Sequence, residues 1–491
     1  MKLFLKSRGS GGSRRRQITG LAVAASLILP TGLVAAGIAA SPASAQITPA
    51  AIDGSAYTPI TPCRLADTRA NSGLQGQGNT LTGGHILHVV VANNCGVPDA
   101  SFFSDHTVTA VVVNITAINP SQAGWLKAYG SGQPAPSTSS VNFVAGQTIA
   151  NEATVTVGGP IIDTADAGAI DIANLQGSVD VAVDVQGFYS VSTGRYGEHN
   201  KYYTLAPFRV LDTRPGSGQQ GQGETLGAGQ QISFFPGTRS FLPWDQSVPV
   251  DATAVVVNLT ATNNTGPGFL TAWANGGSQP LASNLNWPAA NTTIPNRAII
   301  PINQANGEIT VFSNIGTDVV VDVVGFYSDN RFEDVKPPGC PASTNTKGML
   351  YFPLVTPQRV VDTRAGSGIQ GGNQPLGPGA TRLFSIPDDS FGAGPHAPSI
   401  QGATCLHPRS VVINNTLTNT TASSFLTVYP GSVTPPTAPS QPLASDNNWT
   451  PGEIISNADQ VGVGSLGEVY AYNHTGNADL VIDLFGYFTQ M

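Results

Sequence analysis

Charge, methionine, cysteine and helical periodicity are all scarce in this chain, and each shortage narrows the reading. Only 11% of the 491 residues are charged, and acids outnumber bases by 30 to 22. No basic patch stands out, so nucleic acid and anionic membrane surfaces are poor partners. No C-x-x-C pair occurs among the 4 cysteines, which removes the usual zinc and dithiol redox sites. G-x-S-x-G, H-E-x-x-H and phosphate-loop motifs are missing too. The 7 histidines (His85, His88, His106, His199, His396, His407 and His474) do not recur in a pattern, which leaves a triad or metalloprotease without its central residue. Outside the N-terminus no long stretch keeps a helical period.

What the chain has in quantity is glycine, proline and short apolar runs. The 56 Gly and 37 Pro sit among Ser, Thr and Asn, a composition of short strands joined by turns, and 40% hydrophobic residues suffice for real cores. The first 45 residues differ from the rest. Lys2, Lys6, Arg8, Arg14, Arg15 and Arg16 precede an apolar run and then Ala43-Ser44-Ala45, with no acid among them. That order predicts a signal peptide over 1–45 and cleavage before Gln46. Ser13 to Ile18 partly resembles a twin-arginine signal. Losing six positive charges would take the net charge from −8 to −14. The chain then reads as secreted, free of the membrane after cleavage. With no sorting signal before Met491, attachment to a wall is expected to be non-covalent.

One motif is written three times. Pro62-Cys63-Arg64-Leu65-Ala66-Asp67-Thr68-Arg69 returns as Pro207 to Arg214 and as Pro357 to Arg364, and its Asp recurs after 145 and 150 residues. These intervals are too long for a solenoid and suit whole domains. Further landmarks follow in fixed order. A β-branched run ends in N-x-T at Asn114, Asn258 and Asn414. Gly124-Trp125-Leu126, Gly268-Phe269-Leu270 and Ser424-Phe425-Leu426 come next, then an S-x-x-N segment, another Asn (Asn151, Asn296, Asn457), and a closing strand such as Val179 to Val185. Apolar residues alternate strictly along that last strand, which predicts a half-buried one. Seven or eight strands in about 130 residues predict an antiparallel β-sandwich, jelly-roll or Ig-like. The expectation is three tandem sandwiches at 57–190, 202–328 and 350–489, joined by linkers at 191–201 and 329–349, as a rod or a compact group.

Four charged positions recur in every copy: Arg64, Asp67, Arg69 and Asp184; Arg209, Asp212, Arg214 and Asp322; Arg359, Asp362, Arg364 and Asp483. If first and last strands pair, Arg69 is placed to meet Asp184, and the set reads as a network that pins register. Calcium ligation by Asp67, Asp180 and Asp184 is a weaker reading, because no D-x-D-x-D loop occurs, and a glycosidase acid pair is weaker still. No cofactor and no catalytic residue is expected. The N-x-T asparagines match glycosylation sequons, yet at the end of a strand they more naturally satisfy backbone groups. Copies one and three each hold two cysteines where copy two has none, which predicts disulfides Cys63–Cys95 and Cys340–Cys405.

For a ligand the best candidate is the S-x-x-N segment with the aromatic that follows it. It comprises Asn142 and Phe143; Ser283, Asn286 and Trp287; Ser445, Asn448 and Trp449. A ring beside amides and hydroxyls stacks on a sugar face while its neighbours bond the hydroxyls, although the blander reading, in which the ring plugs the end of a sandwich, comes first.

Taken together, P-x-R-x-x-D-T-R, Cys95-Gly96-Val97-Pro98, V-V-V-N-x-T, G-F-L-T, S-x-x-N and D-V-x-G-F-Y resemble a β-rich repeat domain of secreted actinobacterial and other soil-bacterial surface proteins. Copy three departs from the pattern, with Asn415 inside its N-x-T and Ser424 where the others have Gly. The resemblance implies export and a surface or matrix setting, and transfers no activity. The functional expectation is a secreted, non-catalytic cell-surface or matrix protein that binds a glycan or other envelope component through repeated sites. A purely structural spacer, and a wall hydrolase with an unrecognised site, are the alternatives.

Overall fold

A computed structural model describes residues 54–99, 106–158, 166–192, 200–237, 248–249, 251–329, 348–386, 408–431, 441–464 and 467–489. The signal segment 1–45, most of both linkers, and Cys340 and Cys405 lie outside the described residues. Every regular element among the described residues is a strand.

Each copy folds its strands into two small antiparallel sheets. In copy one the larger runs in the order Ala56–Asp67, Ser178–Ser192, His106–Ile118, Ile149–Thr156, with Leu81–Thr82 added beside the second strand. The smaller runs Ile86–Val90, Ala169–Asn174, Gly124–Gly130, Val141–Phe143. Copies two and three repeat this order. Their larger sheets are Lys201–Asp212, Asp318–Ser328, Ala252–Thr262, Ile294–Pro301 and Leu350–Asp362, Asp479–Thr489, Ser410–Thr418, Ile455–Gly462.

The architecture is a six-bladed β-propeller of small sheets, which corrects the expected three tandem β-sandwich domains, jelly-roll or Ig-like. Residues Pro49–Met491 form one compact unit. The three copies share a core instead of standing as separate domains on linkers. Backbone hydrogen bonds tie their opening segments together: Ser55 and Tyr351 exchange two at 2.9 Å, as do Tyr202 and Met349.

The closing strands show why alternation misled. Asp318–Ser328 and Asp479–Thr489 are buried at every position, on both faces. One face packs within its own copy, and the other faces the neighbouring copies, where Asp and Tyr find partners. A half-polar strand therefore reads as solvent-facing in a lone domain and is buried in a closed ring.

At the centre six aromatic side chains form a closed circuit. Following it, Tyr57–Tyr189, Tyr189–Tyr351, Tyr351–Phe488, Phe488–Tyr202, Tyr202–Tyr327 and Tyr327–Tyr57 have ring centroids 5.1, 4.4, 5.1, 4.6, 5.3 and 4.5 Å apart. Such tilted contacts favour ring pairs beyond their area alone. The glycine of each G-[FY]-[FY] ending is required by this packing. A Cβ on Gly187, Gly325 or Gly486 would stand 2.2, 2.3 or 2.4 Å from the hydroxyl of Tyr57, Tyr202 or Tyr351.

Candidate functional site

The opening motif is a clasp. Opening and closing strands pair in antiparallel register, with Arg64 directly across from Asp184. Arg64 donates to both carboxylate oxygens of Asp184 at 2.8 and 2.9 Å; Arg209–Asp322 spans 2.8 and 3.0 Å, and Arg359–Asp483 2.8 and 3.1 Å. The expected Arg69–Asp184 contact is thus made by Arg64. A register shift between Arg64 and Ala66 breaks the simple alternation on which that expectation rested.

Arg69 instead folds back on Asp67, two residues away, through Nε at 2.9 Å and its own backbone N–H at 3.1 Å. Arg214 with Asp212 and Arg364 with Asp362 repeat the pattern. Burial raises the carboxyl pKa of Asp67, Asp212 and Asp362, but the bonds from these arginines outweigh it and hold each below the ordinary Asp value. The motif's Thr is used as well, with Thr68, Thr213 and Thr363 donating to Asp180, Asp318 and Asp479 at 3.0, 2.9 and 2.9 Å.

The S-x-x-N segments lie on the seams between copies. Asn114 of copy one donates to the Ser283 carbonyl of copy two at 2.6 Å, Asn258 of copy two to the Ser445 carbonyl of copy three, and Asn414 of copy three to the Ser139 carbonyl of copy one at 2.9 Å. One-to-two, two-to-three, three-to-one is a head-to-tail contact that closes on itself. The second Asn of each copy reinforces it: Asn296, Asn457 and Asn151 donate to the side-chain oxygens of Asn114, Asn258 and Asn414 at 2.8, 3.0 and 2.9 Å. The sequon asparagines are thus buried and bonded across copies. The clasp reaches the same seam, since Asp184 Oδ2 accepts the Ser283 backbone N–H at 3.1 Å.

The three rings singled out beside these segments are inside. Phe143, Trp287 and Trp449 are 3%, 1% and 3% exposed, and Trp287 Nε1 donates to the Gly266 carbonyl at 2.7 Å. Their faces are occupied by core. The aromatic just before the leucine in each copy is placed differently: Trp125, Phe269 and Phe425 are half-buried and stand directly across the strand pair from Asn142, Asn286 and Asn448. Sequence reasoning read Trp125, Phe269 and Phe425 only as landmarks. The signal was available in their place next to a glycine or serine turn, but pairing was needed to set them against the asparagines.

A charged cluster sits in the middle of the molecule. Arg297 of copy two, 1% exposed, donates through Nε to Glu152 of copy one, through Nη2 to Thr154 Oγ1 at 3.0 Å and through Nη1 to the Asp459 carbonyl of copy three at 3.2 Å. Nearby, Asp446 and Asp459 are both buried. Burial pushes the Asp459 carboxyl up to about 6, and burial followed by the Asp459 charge pushes Asp446 well above the ordinary range. Copies one and two have neutral acceptors in place of Asp446: Ser140 and Asn284 accept from Ala128 and Ala272 N–H at 3.0 and 2.7 Å, as Asp446 does from Val428.

A raised folded-state pKa means that the folded protein holds the proton more tightly than the unfolded chain, whose Asp titrates near 4. This pair therefore weakens the fold at neutral and higher pH, and the penalty fades as pH falls toward the unfolded Asp value near 4. Asp446→Asn should raise the melting temperature at pH 8 and lose that advantage by pH 4. A constant difference across this range would show that the pair does not titrate.

The cysteines of copy one are bonded, Cys63 to Cys95 with an S–S length of 2.03 Å. No group of three or more His, Cys, Asp or Glu side chains suited to a metal occurs among the described residues.

Fold and site together define an all-β protein built from three internal copies closed into one ring of small sheets, with recurrent polar seams between copies. No protein-family model matches the chain, and no curated protein does. Among solved structures, a chain of Sulfolobus turreted icosahedral virus aligns at 10% identity over 89% of this chain and 90% of its own, with a TM-score of 0.16. YhaK from Escherichia coli aligns at 10% identity over 58% and 93%, TM-score 0.13, and a broad bean stain virus chain at 11% over 59% and 94%, TM-score 0.16. At such TM-scores the likenesses carry no argument about fold or function.

Proposed function

We propose that this is an exported, non-catalytic surface or matrix protein that holds a glycan at repeated sites. The observation that carries the reading is the recurrent cross-strand pair of a half-buried aromatic and an asparagine: Trp125/Asn142, Phe269/Asn286 and Phe425/Asn448. A ring face with an amide beside it supplies the stacking and the hydrogen bonds that a sugar requires. Three weak sites on one rigid body add through avidity on a polymer. Export is supported by the N-terminal basic, apolar and Ala-Ser-Ala sequence, and by the Cys63–Cys95 disulfide, which suits an oxidising compartment. A non-catalytic role is supported by the recurrent Arg and Asp residues, which are engaged with one another within each clasp.

A spacer without a ligand is the second reading. It is favoured by the investment of the clasp, sequon and S-x-x-N residues in closing the ring. Sedimentation with insoluble peptidoglycan, chitin and cellulose separates the two. The native protein should co-sediment with at least one polymer, and W125A/F269A/F425A should lose at least ten-fold of that binding with its melting temperature nearly unchanged. No binding to any polymer would leave the spacer reading.

A further inference from the structure

The seam between copies two and three holds a groove of about 200 Å³. Phe425 and Asn448 of copy three form one wall, facing each other across the strand pair. Thr260, Arg209 and Arg214 of copy two form the other, and Leu443, 91% exposed, stands at the rim. From this we infer that the groove between copies two and three is a binding site for one pyranose unit of a neutral glycan, a placement that rests on the glycan reading above.

Three observations select that ligand. The first is the Thr260 hydroxyl, in a residue only 5% exposed, which lines the groove and has no hydrogen-bond partner. A buried hydroxyl without a partner is costly, and a turn of the Thr260 side chain toward the groove would let a ligand hydroxyl satisfy it. Thr116 and Thr416, its counterparts in the other copies, have unpartnered hydroxyls as well.

The second is charge. Arg209 is committed to Asp322 and Arg214 to Asp212, both through paired bonds. The two cations are thus balanced by two carboxylates at the groove, so an anion gains little while a neutral polyol finds donors and acceptors on one wall. The third is the ring. Phe425, which lines the groove, stacks on His474 with centroids 4.8 Å apart and planes 18° from parallel, which restrains the ring. Asn448 donates to Ser445 Oγ at 3.1 Å, leaving its amide oxygen available to accept. The volume of about 200 Å³ has room for a single sugar ring.

The test uses the full chain carrying W125A/F269A, so that the other two seams are silenced, and titrates it calorimetrically with cellotetraose, chitotetraose, laminaritetraose and maltotetraose. At least one should bind, and adding F425A or the near-isosteric T260V should weaken that binding at least ten-fold and about three-fold, with unfolding midpoints matched to the parent. Should F425A unfold, T260V decides. Binding that is unaffected by T260V and F425A, or that W125A/F269A alone abolishes, overturns this groove as the site and leaves glycan binding intact. If the native protein binds none of these tetrasaccharides and none of the insoluble polymers, both the site and the glycan reading fall.

Discussion

Arg297→Ala should destabilise the whole molecule by about 3–5 kcal/mol, the usual cost of removing one member of a buried ion pair. Glu152, 1% exposed, would lose the guanidinium that now bonds it. Thr154 Oγ1 and the Asp459 carbonyl would lose donors in the same step. The position matters as much as the charge. Glu152, Arg297 and Ala458 follow Asn151, Asn296 and Asn457 at the same point of the three copies, and their backbone N–H groups donate to Asn296, Asn457 and Asn151 at 3.0, 3.0 and 2.9 Å. An acid, a base and a small neutral residue thus occupy equivalent places around one centre, which lets a three-fold repeat hold an ion pair that strict symmetry would forbid. The change should shift a single unfolding transition, because all three copies meet there. Arg297→Met combined with Glu152→Leu should restore most of the loss, since apolar replacement of a buried pair is often neutral. Chemical denaturation of both singles and the double measures the coupling. Additive losses would mean that the two side chains stabilise independently, and a transition that moves for one third of the signal would mean that the copies unfold alone.

How much of this was legible in the sequence depends on whether a residue's partner lies within its own copy. Arg64, Asp67, Arg69 and Asp184 act on one another within one unit, so triplication of the motif was enough to read them as a network, though not to assign Arg64 to Asp184 or to include Thr68. Cys63 and Cys95 are likewise in one copy, and their joint disappearance from copy two pointed to the pairing. Asn114, Ser283 and Asn296 behave differently, because each bonds to another copy. A sequence periodic at about 150 residues reports that units repeat and says nothing of how they close. The same blindness explains Trp287. An aromatic after a polar turn reads equally as a ligand platform or a plug, and only the seam decides that it is the plug. Phe425 stands in the opposite case, a landmark without an assigned role in the sequence whose half-buried place across from Asn448 only the strand pairing shows.

Asp322→Asn should cost about 3 kcal/mol, more than the same change at Asp212, because Asp322 joins two kinds of contact at once. It is 0% exposed, accepts both guanidinium bonds from Arg209 within its own copy, and also accepts the Ser445 backbone N–H of copy three. Burial, its largest influence, raises its carboxyl pKa, and Arg209 opposes that without cancelling it. An asparagine keeps the shape and one acceptor but turns an N–H₂ toward a guanidinium, so a buried donor meets a donor. Asp212 is held mainly by Arg214, whose side chain is 42% exposed, and solvent screens that pair. Its asparagine variant should therefore cost about 1 kcal/mol. The loss at Asp322 should also loosen the seam beside it. Hydrogen exchange at Ser445 should accelerate well before the centre of copy two does, whereas Asp212→Asn should leave Ser445 protected. Equal costs at the two positions, or unchanged exchange at Ser445 in Asp322→Asn, would reduce the clasp to a register lock within one copy and detach it from ring closure.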